Sequence, residues 1–249
     1  MRIILVLSVT LFISCSTGIN YYLPAKGKRV YTGLEQFVKH HIHKYRGKKA
    51  VVITNHSGVN FALTPNIKLF QKAYIDIIAI LAPEHGLYGY QNYYSKKLYS
   101  IDYNYYTIIY NFHKLKKKAL QKILNRSDII IFDIQDMGMR CYTYVSNLKH
   151  TMDALDKLKK EFIVLDRPNP IGFMGVSGSY LEKKFTTRFI SAFPAPFIYN
   201  LTIGEAALYY KHEFQKDLPL TIIKMKNYRR DMFYHETRLP WVPPSPNLP

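Results

Sequence analysis

The sequence predicts an α/β fold with a Rossmann-like, doubly wound, mostly parallel sheet, on three observations. First, four short runs are apolar continuously rather than in alternation: Lys49 to Thr54, Asp76 to Leu81, Asp128 to Asp133 and Glu161 to Leu165. Continuous apolar character suits strands covered on both faces. Second, stretches of helical period lie between them, at Thr64 to Ala73, Leu115 to Leu124 and Ser146 to Lys159. The resulting β-α-β alternation is that of a parallel sheet. Third, every apolar run ends in chemically able side chains. The first leads into Asn55-His56-Ser57-Gly58, and the second into Ala82-Pro83-Glu84-His85-Gly86. The third ends at Asp133 and leads into Gln135, Asp136, Arg140 and Tyr142, and the fourth into Asp166-Arg167-Pro168-Asn169-Pro170. Ligands of open α/β sheets bind outside the carboxyl ends of the strands, so four such ends predict one pocket. No G-x-G-x-x-G follows the first strand and no Walker motif occurs, so no nucleotide cofactor is expected.

Composition supports a large core. Of 249 residues, 48% are apolar and 15% aromatic, which excludes a disordered chain. The formal charge of +18 raises the question of nucleic acid. The lysines are spread along the chain, however, from Lys26, Lys48 and Lys72 to Lys157, Lys183 and Lys224, in a sequence also rich in Ile, Tyr and Asn. Such usage resembles that of an AT-rich bacterial genome, and no RNP, zinc-finger or helix-turn-helix pattern is present. No nucleic-acid partner is expected. Nine tyrosines between Tyr88 and Tyr110 suit sugar rings, but the same bias accounts for most of them.

The N-terminus reads as an export signal. Arg2 precedes an apolar run from Ile3 to Ile13, followed by Ser14-Cys15-Ser16, a pattern of secretory signals rather than of membrane spans. The cysteine directly after a small residue resembles a bacterial lipoprotein signal. The expectation is removal of residues 1–14, lipid on Cys15 and a membrane-anchored protein of the cell envelope. Cys141 is then left without an intramolecular disulfide partner. Residues 15–46 are read as a linker and first helix, and residues 47–238 as the Rossmann-like domain.

Individual residues leave alternatives open. Glu84 sits on a tight turn, as a surface carboxylate or as an acid whose pKa is raised for proton donation. Asp133 and Asp136 could bind sugar hydroxyls, hold Arg140 or chelate a metal; the histidines and further carboxylates that a metal wants are provided only loosely, so none is expected. Arg140 and Arg167 offer planar forks to a carboxylate or phosphate, or pair with Asp133, Asp136 or Asp166. Asn169 is fixed between two prolines. Thr202-Ile-Gly-Glu205 reads as a helix capping box.

Together the strand-end motifs resemble one bacterial family. TNHSGV (Thr54 to Val59), APEHGLYG (Ala82 to Gly89), FDIQDMGMRCYTY (Phe132 to Tyr144), LDRPNPIG (Leu165 to Gly172), LTIGE (Leu201 to Glu205) and LPWVPPSPNLP (Leu239 to Pro249) are similar to signatures of the DUF1343 group, the exo-β-N-acetylmuramidases of the NamZ type. The resemblance implies release of terminal N-acetylmuramic acid from peptidoglycan fragments. It implies a Rossmann-like N-terminal domain and a second, C-terminal domain with the cleft between them. Glu84 would be the acid, with Asp133 or Asp136 as its partner. Arg140 or Arg167 would hold the lactyl carboxylate, and Asn55, His56 and Asn169 would orient hydroxyls and the N-acetyl group. His85, Gln135, Tyr142 and Asp166 complete the implied substrate-binding set.

Two departures stand out: Ile198-Tyr199-Asn200 occupies the place of the family's Arg-His-Gly, and the loop after Gly89 is Tyr- and Lys-rich where the family has Gly-Glu. Residues 239–249 are expected to start a linker to a second domain that the chain lacks. A non-catalytic lipoprotein that binds cell-wall glycan is the rival expectation.

Overall fold

The computed structural model describes residues 27–90, 97–185, 189–190 and 192–246. Cys15 and the segment before it lie outside the described residues, as do residues 247–249.

In chain order the strands are β1 (Lys49–Thr54), β2 (Asp76–Ala82), β3 (Tyr99–Asp102), β4 (Thr107–Asn111), β5 (Ile129–Asp133), β6 (Glu161–Leu165), β7 (Ser177–Tyr180), β8 (Pro196–Ile198) and β9 (Leu220–Ile223). The helices are α1 (Gly33–His40), α2 (Asn66–Lys72), α3 (Lys117–Asn125), α4 (Tyr144–Leu155) and α5 (Ile203–Glu213). A seven-stranded sheet runs β3-β4-β2-β1-β5-β6-β9, and β7 with β8 forms a separate two-stranded ribbon. Every pairing in the large sheet is parallel except β3 with β4. Counted in chain order, the parallel strands lie 3-2-1-4-5-6, so the order reverses between β1 and β5, where ligands of doubly wound sheets bind. The α/β, mostly parallel fold expected from the sequence is the fold observed.

Continuous apolar strands work here because both faces are covered. On one face Ala50, Val52, Ile131 and Ile163 pack with Leu34 and Phe37 of α1 and Ile67 and Phe70 of α2. On the other, Val51, Ile53, Phe132 and Val164 pack with Leu120 of α3, Leu148 of α4 and Ala206 of α5. Burying one such aliphatic or aromatic side chain stabilises by about 1.5–3 kcal/mol. The Thr202–Glu205 capping box forms as read: the Thr202 side chain accepts from the Glu205 N–H, and Glu205 returns the bond to the Thr202 N–H. Thr32 and Glu35 do the same for α1.

Three features differ from the sequence reading. The tyrosine-rich stretch contains the β3–β4 hairpin, whose edge strand β3 exposes three of its four residues and so lacks an apolar run. The short strand β9 is only partly buried and gives little apolar signal. Helix α4 begins at Tyr144 and stops at Leu155, short of Lys159, because Asp156 is extended (φ −52°, ψ 124°) and Lys157 is left-handed (φ 67°).

Candidate active site

The ends of β1 and β5 are tied together by short polar bonds. Thr54 Oγ1 donates to the Asp133 carbonyl at 2.8 Å. Asn55 Oδ1 accepts from the Ser57 N–H (3.0 Å) and hydroxyl (2.6 Å), and Ser57 Oγ accepts in turn from the Gln135 N–H at 3.0 Å. The Gln135 side chain donates to the carbonyls of Asp136 (2.8 Å) and Pro168 (2.7 Å), linking the ends of β5 and β6.

Asp133 is fully buried at the end of β5, and both its oxygens are in use. Arg167 Nε donates to Oδ1 at 2.6 Å and an Arg167 terminal nitrogen to Oδ2 at 3.1 Å, while Asn66 Nδ2 donates to Oδ2 at 2.8 Å. The same Arg167 terminal nitrogen reaches the Val59 carbonyl at 3.0 Å. This is a buried, bidentate ion pair, and it commits Arg167 to Asp133 rather than to an incoming carboxylate.

Asp136 and Arg140 are different. Asp136 Oδ2 accepts from the Gly138 N–H at 2.9 Å and from the Tyr199 hydroxyl at 2.5 Å. Its Oδ1 is buried without a partner among the described residues. Burial pushes the carboxyl up to about 6, against the lowering effect of the Tyr199 hydroxyl and of the Gly138 and Met137 N–H groups. Arg140, 8% exposed, donates from one terminal nitrogen to the carbonyls of Ala195 (2.6 Å) and Ser179 (3.3 Å). Its Nε is buried and unpartnered, and no ion pair forms on it among the described residues. The β7–β8 ribbon sets its place, because the Arg140 N–H donates to the Phe197 carbonyl and the Tyr199 N–H to the Gly138 carbonyl. Gly138 is left-handed (φ +71°), and a Cβ there would lie 2.3 Å from Asn169 Oδ1.

Glu84 follows β2 on a turn closed by the Gly86 N–H to the Pro83 carbonyl, with His85 (φ 68°) and Gly86 (φ 74°) both left-handed. The side chain is half-buried, and Thr143 Oγ1 donates to its Oε2 at 3.1 Å. Nearby His113 is pushed down to about 4 by burial, an effect that the Glu84 charge opposes and His85 reinforces. His150, likewise down to about 4 through burial, stacks on Phe189, whose ring also meets His113.

The segment after Trp241 lies across the crevice. His56 Nε2 donates to the Pro243 carbonyl at 2.7 Å, which leaves Nδ1 as its second nitrogen, buried and without a partner among the described residues. Asn55 Nδ2 reaches the Pro244 carbonyl at 3.4 Å, and the Tyr144 hydroxyl donates to the same oxygen. Gly89 closes over the His56 ring so tightly that a Cβ would lie 2.3 Å from Cε1. Beside His56 a cavity of about 350 Å³ is lined by Val59, Leu63, Ile67, Leu87, Tyr88 and Val242 among others.

The remaining sequence-singled residues hold backbone. Asp166 accepts from the Gly204 N–H (2.8 Å) and the Thr202 hydroxyl (3.0 Å), anchoring α5 to the end of β6, and burial raises it to about 6. Asn169 donates to the carbonyls of Tyr199 and Leu201, both at 3.0 Å, and accepts from the Ile171 N–H. Tyr142 is half-buried and its phenol is raised by burial. Cys141 is a free, exposed cysteine. Asn66, Thr143 and Tyr144 were not singled out in the sequence, although Thr143 and Tyr144 stand inside the motif after β5, and Tyr199 was noted only as a departure from the family's Arg-His-Gly. Among the described residues no group of three His, Cys, Asp or Glu side chains is placed to hold a metal ion.

The family model described as exo-beta-N-acetylmuramidase NamZ, N-terminal, matches residues 50–249. The peptidoglycan beta-N-acetylmuramidase NamZ of Bacillus subtilis (strain 168) is 36% identical over 226 residues, which is 90% of this chain and 54% of that protein. Two DUF1343 family proteins of Bacteroides fragilis NCTC 9343, known from crystal structures, are similar in fold. One has a TM-score of 0.75 at 34% identity, covering 88% of this chain and 56% of that one. The other has a TM-score of 0.73 at 31% identity, covering 89% and 58%. This chain thus spans little more than half the length of these relatives.

Proposed function

This chain belongs to the exo-beta-N-acetylmuramidase NamZ family, matching its N-terminal part, and on that premise we propose that it carries the sugar site and general acid of a glycosidase. The substrate is a peptidoglycan fragment that ends in N-acetylmuramic acid, and the product is the free terminal sugar. The observation that carries this reading is the placement of Glu84. It stands at the carboxyl end of β2, next to the strand where the sheet order reverses, on a turn held by two left-handed residues.

Glycoside hydrolysis needs an acid for the leaving oxygen and a group that meets the developing oxocarbenium charge. Glu84 takes the first role. Asp136 takes the second in preference to Asp133, because Asp133 is saturated by Arg167 and Asn66 while one Asp136 oxygen has no partner among the described residues. By the same reasoning Arg140 holds the lactyl carboxylate, since its buried Nε awaits an acceptor and Arg167 is occupied.

The test is incubation of the purified chain with a muramic acid–glucosamine disaccharide, with product analysis and a direct binding measurement in parallel. Free N-acetylmuramic acid is expected, and the disaccharide that lacks the lactyl group should be turned over far more slowly. Binding without release would instead favour a non-catalytic glycan-binding protein. Neither binding nor release would contradict both readings.

A further inference from the structure

Thr143 occupies the N-cap position of α4. A threonine there ordinarily accepts a hydrogen bond from an N–H of the first helical turn, worth about 1 kcal/mol. Here its backbone is helical (φ −76°, ψ −3°) and its side chain makes no capping hydrogen bond. The hydroxyl is turned to Glu84 instead, donating to Oε2 at 3.1 Å. Thr143 is 5% exposed, so this bond is shielded from water on its own side. No other hydrogen bond reaches the Glu84 carboxyl among the described residues. The helix forgoes its cap, and the carboxyl gains the one donor it has among the described residues.

We propose that Thr143 is a positioning residue for the acid, one whose hydroxyl fixes which Glu84 oxygen carries the transferable proton. The proposal rests on the reading of Glu84 given above. A protonated carboxyl has one O–H and one carbonyl oxygen. Donation by Thr143 marks Oε2 as the carbonyl oxygen and leaves the proton on Oε1. In the reaction the Oε1–H bond breaks and that proton bonds to the glycosidic oxygen. The C1–O bond gives its electron pair to the same oxygen; at the end of the cycle a water oxygen bonds to C1 and the proton it sheds restores the Glu84 acid. Glu84 is left as a carboxylate, to which the Thr143 hydrogen bond is stronger than it was to the neutral acid. An interaction that strengthens as the proton leaves favours the transition state over the ground state.

Thr143→Val keeps the shape and removes the donor, and Thr143→Ser restores it. Both are compared with Glu84→Gln in the full chain, on the natural disaccharide and on an aryl muramide whose leaving group needs no protonation. Thr143→Val should lower kcat on the disaccharide by about 10–100-fold, the range for a hydrogen bond to a charged group, with KM little changed. The aryl substrate should lose much less, and serine should rescue. An equal loss on both substrates, or no rescue by serine, overturns the proposal, since a merely structural threonine gives that pattern. If Glu84→Gln abolishes turnover while Thr143→Val leaves it intact, only the role of Thr143 falls. If Glu84→Gln is itself without effect, the reading of Glu84 falls first. A measurement independent of turnover is the carboxyl carbon resonance of Glu84. Loss of the donated hydrogen bond in Thr143→Val should shift that resonance at a fixed pH, and an unmoved resonance contradicts the contact.

Discussion

At the scale of the residue, the site divides acidic side chains by what surrounds them. Asp133 has two donors on one oxygen and one on the other, while Asp136 has one buried oxygen without a partner among the described residues. The difference has a consequence for stability. A carboxyl raised to about 6 in the fold and standing near 3.8 when unfolded binds an extra proton in the native state between those values. Its contribution is therefore complete below pH 4 and lost as pH rises through 6. His113 and His150, lowered to about 4, act in the opposite sense over nearly the same window, binding protons mainly in the unfolded chain. The Asp136 contribution must then be read as a difference. In urea unfolding from pH 4 to 7, the stability of wild type minus that of Asp136→Asn should fall as pH rises. A flat difference would mean that Asp136 is not a raised, buried acid. None of this was legible in the sequence. Asp133 and Asp136 are three positions apart in one motif, and only the ribbon that brings Tyr199 to one and the loop that brings Arg167 to the other tell them apart.

At the scale of the element, the strands were read from their apolar runs because both sheet faces are covered. β1, β2, β5 and β6 were visible, whereas the exposed hairpin strand β3 and the half-buried β9 were not. A β-bulge between β1 and β2 was also hidden: Ala50 pairs with Ile77 and Val51 with Ala79, so Ile78 is extra. A single extra residue flips every later side chain to the other face, which helps decide how β2 delivers the Glu84 turn. The tie that holds the strand ends in register is the Asp133–Arg167 pair, joining the end of β5 to the loop after β6 and, through Asn66, to the start of α2. Asp133→Asn should destabilise the fold by about 3–5 kcal/mol, because it leaves the Arg167 charge buried and uncompensated. Denaturant unfolding measures this, and a loss below about 1 kcal/mol would show that water or another carboxylate reaches Arg167.

At the scale of the whole molecule, the sequence placed its polar motifs at one edge of the sheet because each follows a parallel strand. The residues after β1, β2, β5 and β6 were all foreseen as one edge, and they do share it. The pairing of Arg167 with Asp133 was one of the alternatives left open; what could not be foreseen is that Asp166 and Asn169 are spent on holding the edge together, or that carbonyls of Pro243 and Pro244 engage His56, Asn55 and Tyr144. Those bonds cross 100 to 189 positions of sequence, and no local pattern encodes them. The central claim is that Glu84 donates the proton on which glycoside cleavage depends. Its most direct test is the turnover of a natural muramic acid disaccharide by Glu84→Gln, which keeps the shape and removes the proton. The account predicts that kcat falls by about 10²–10⁴-fold, the usual worth of general acid catalysis, with KM little changed and an activated aryl muramide largely spared. Unchanged turnover of the disaccharide would contradict it.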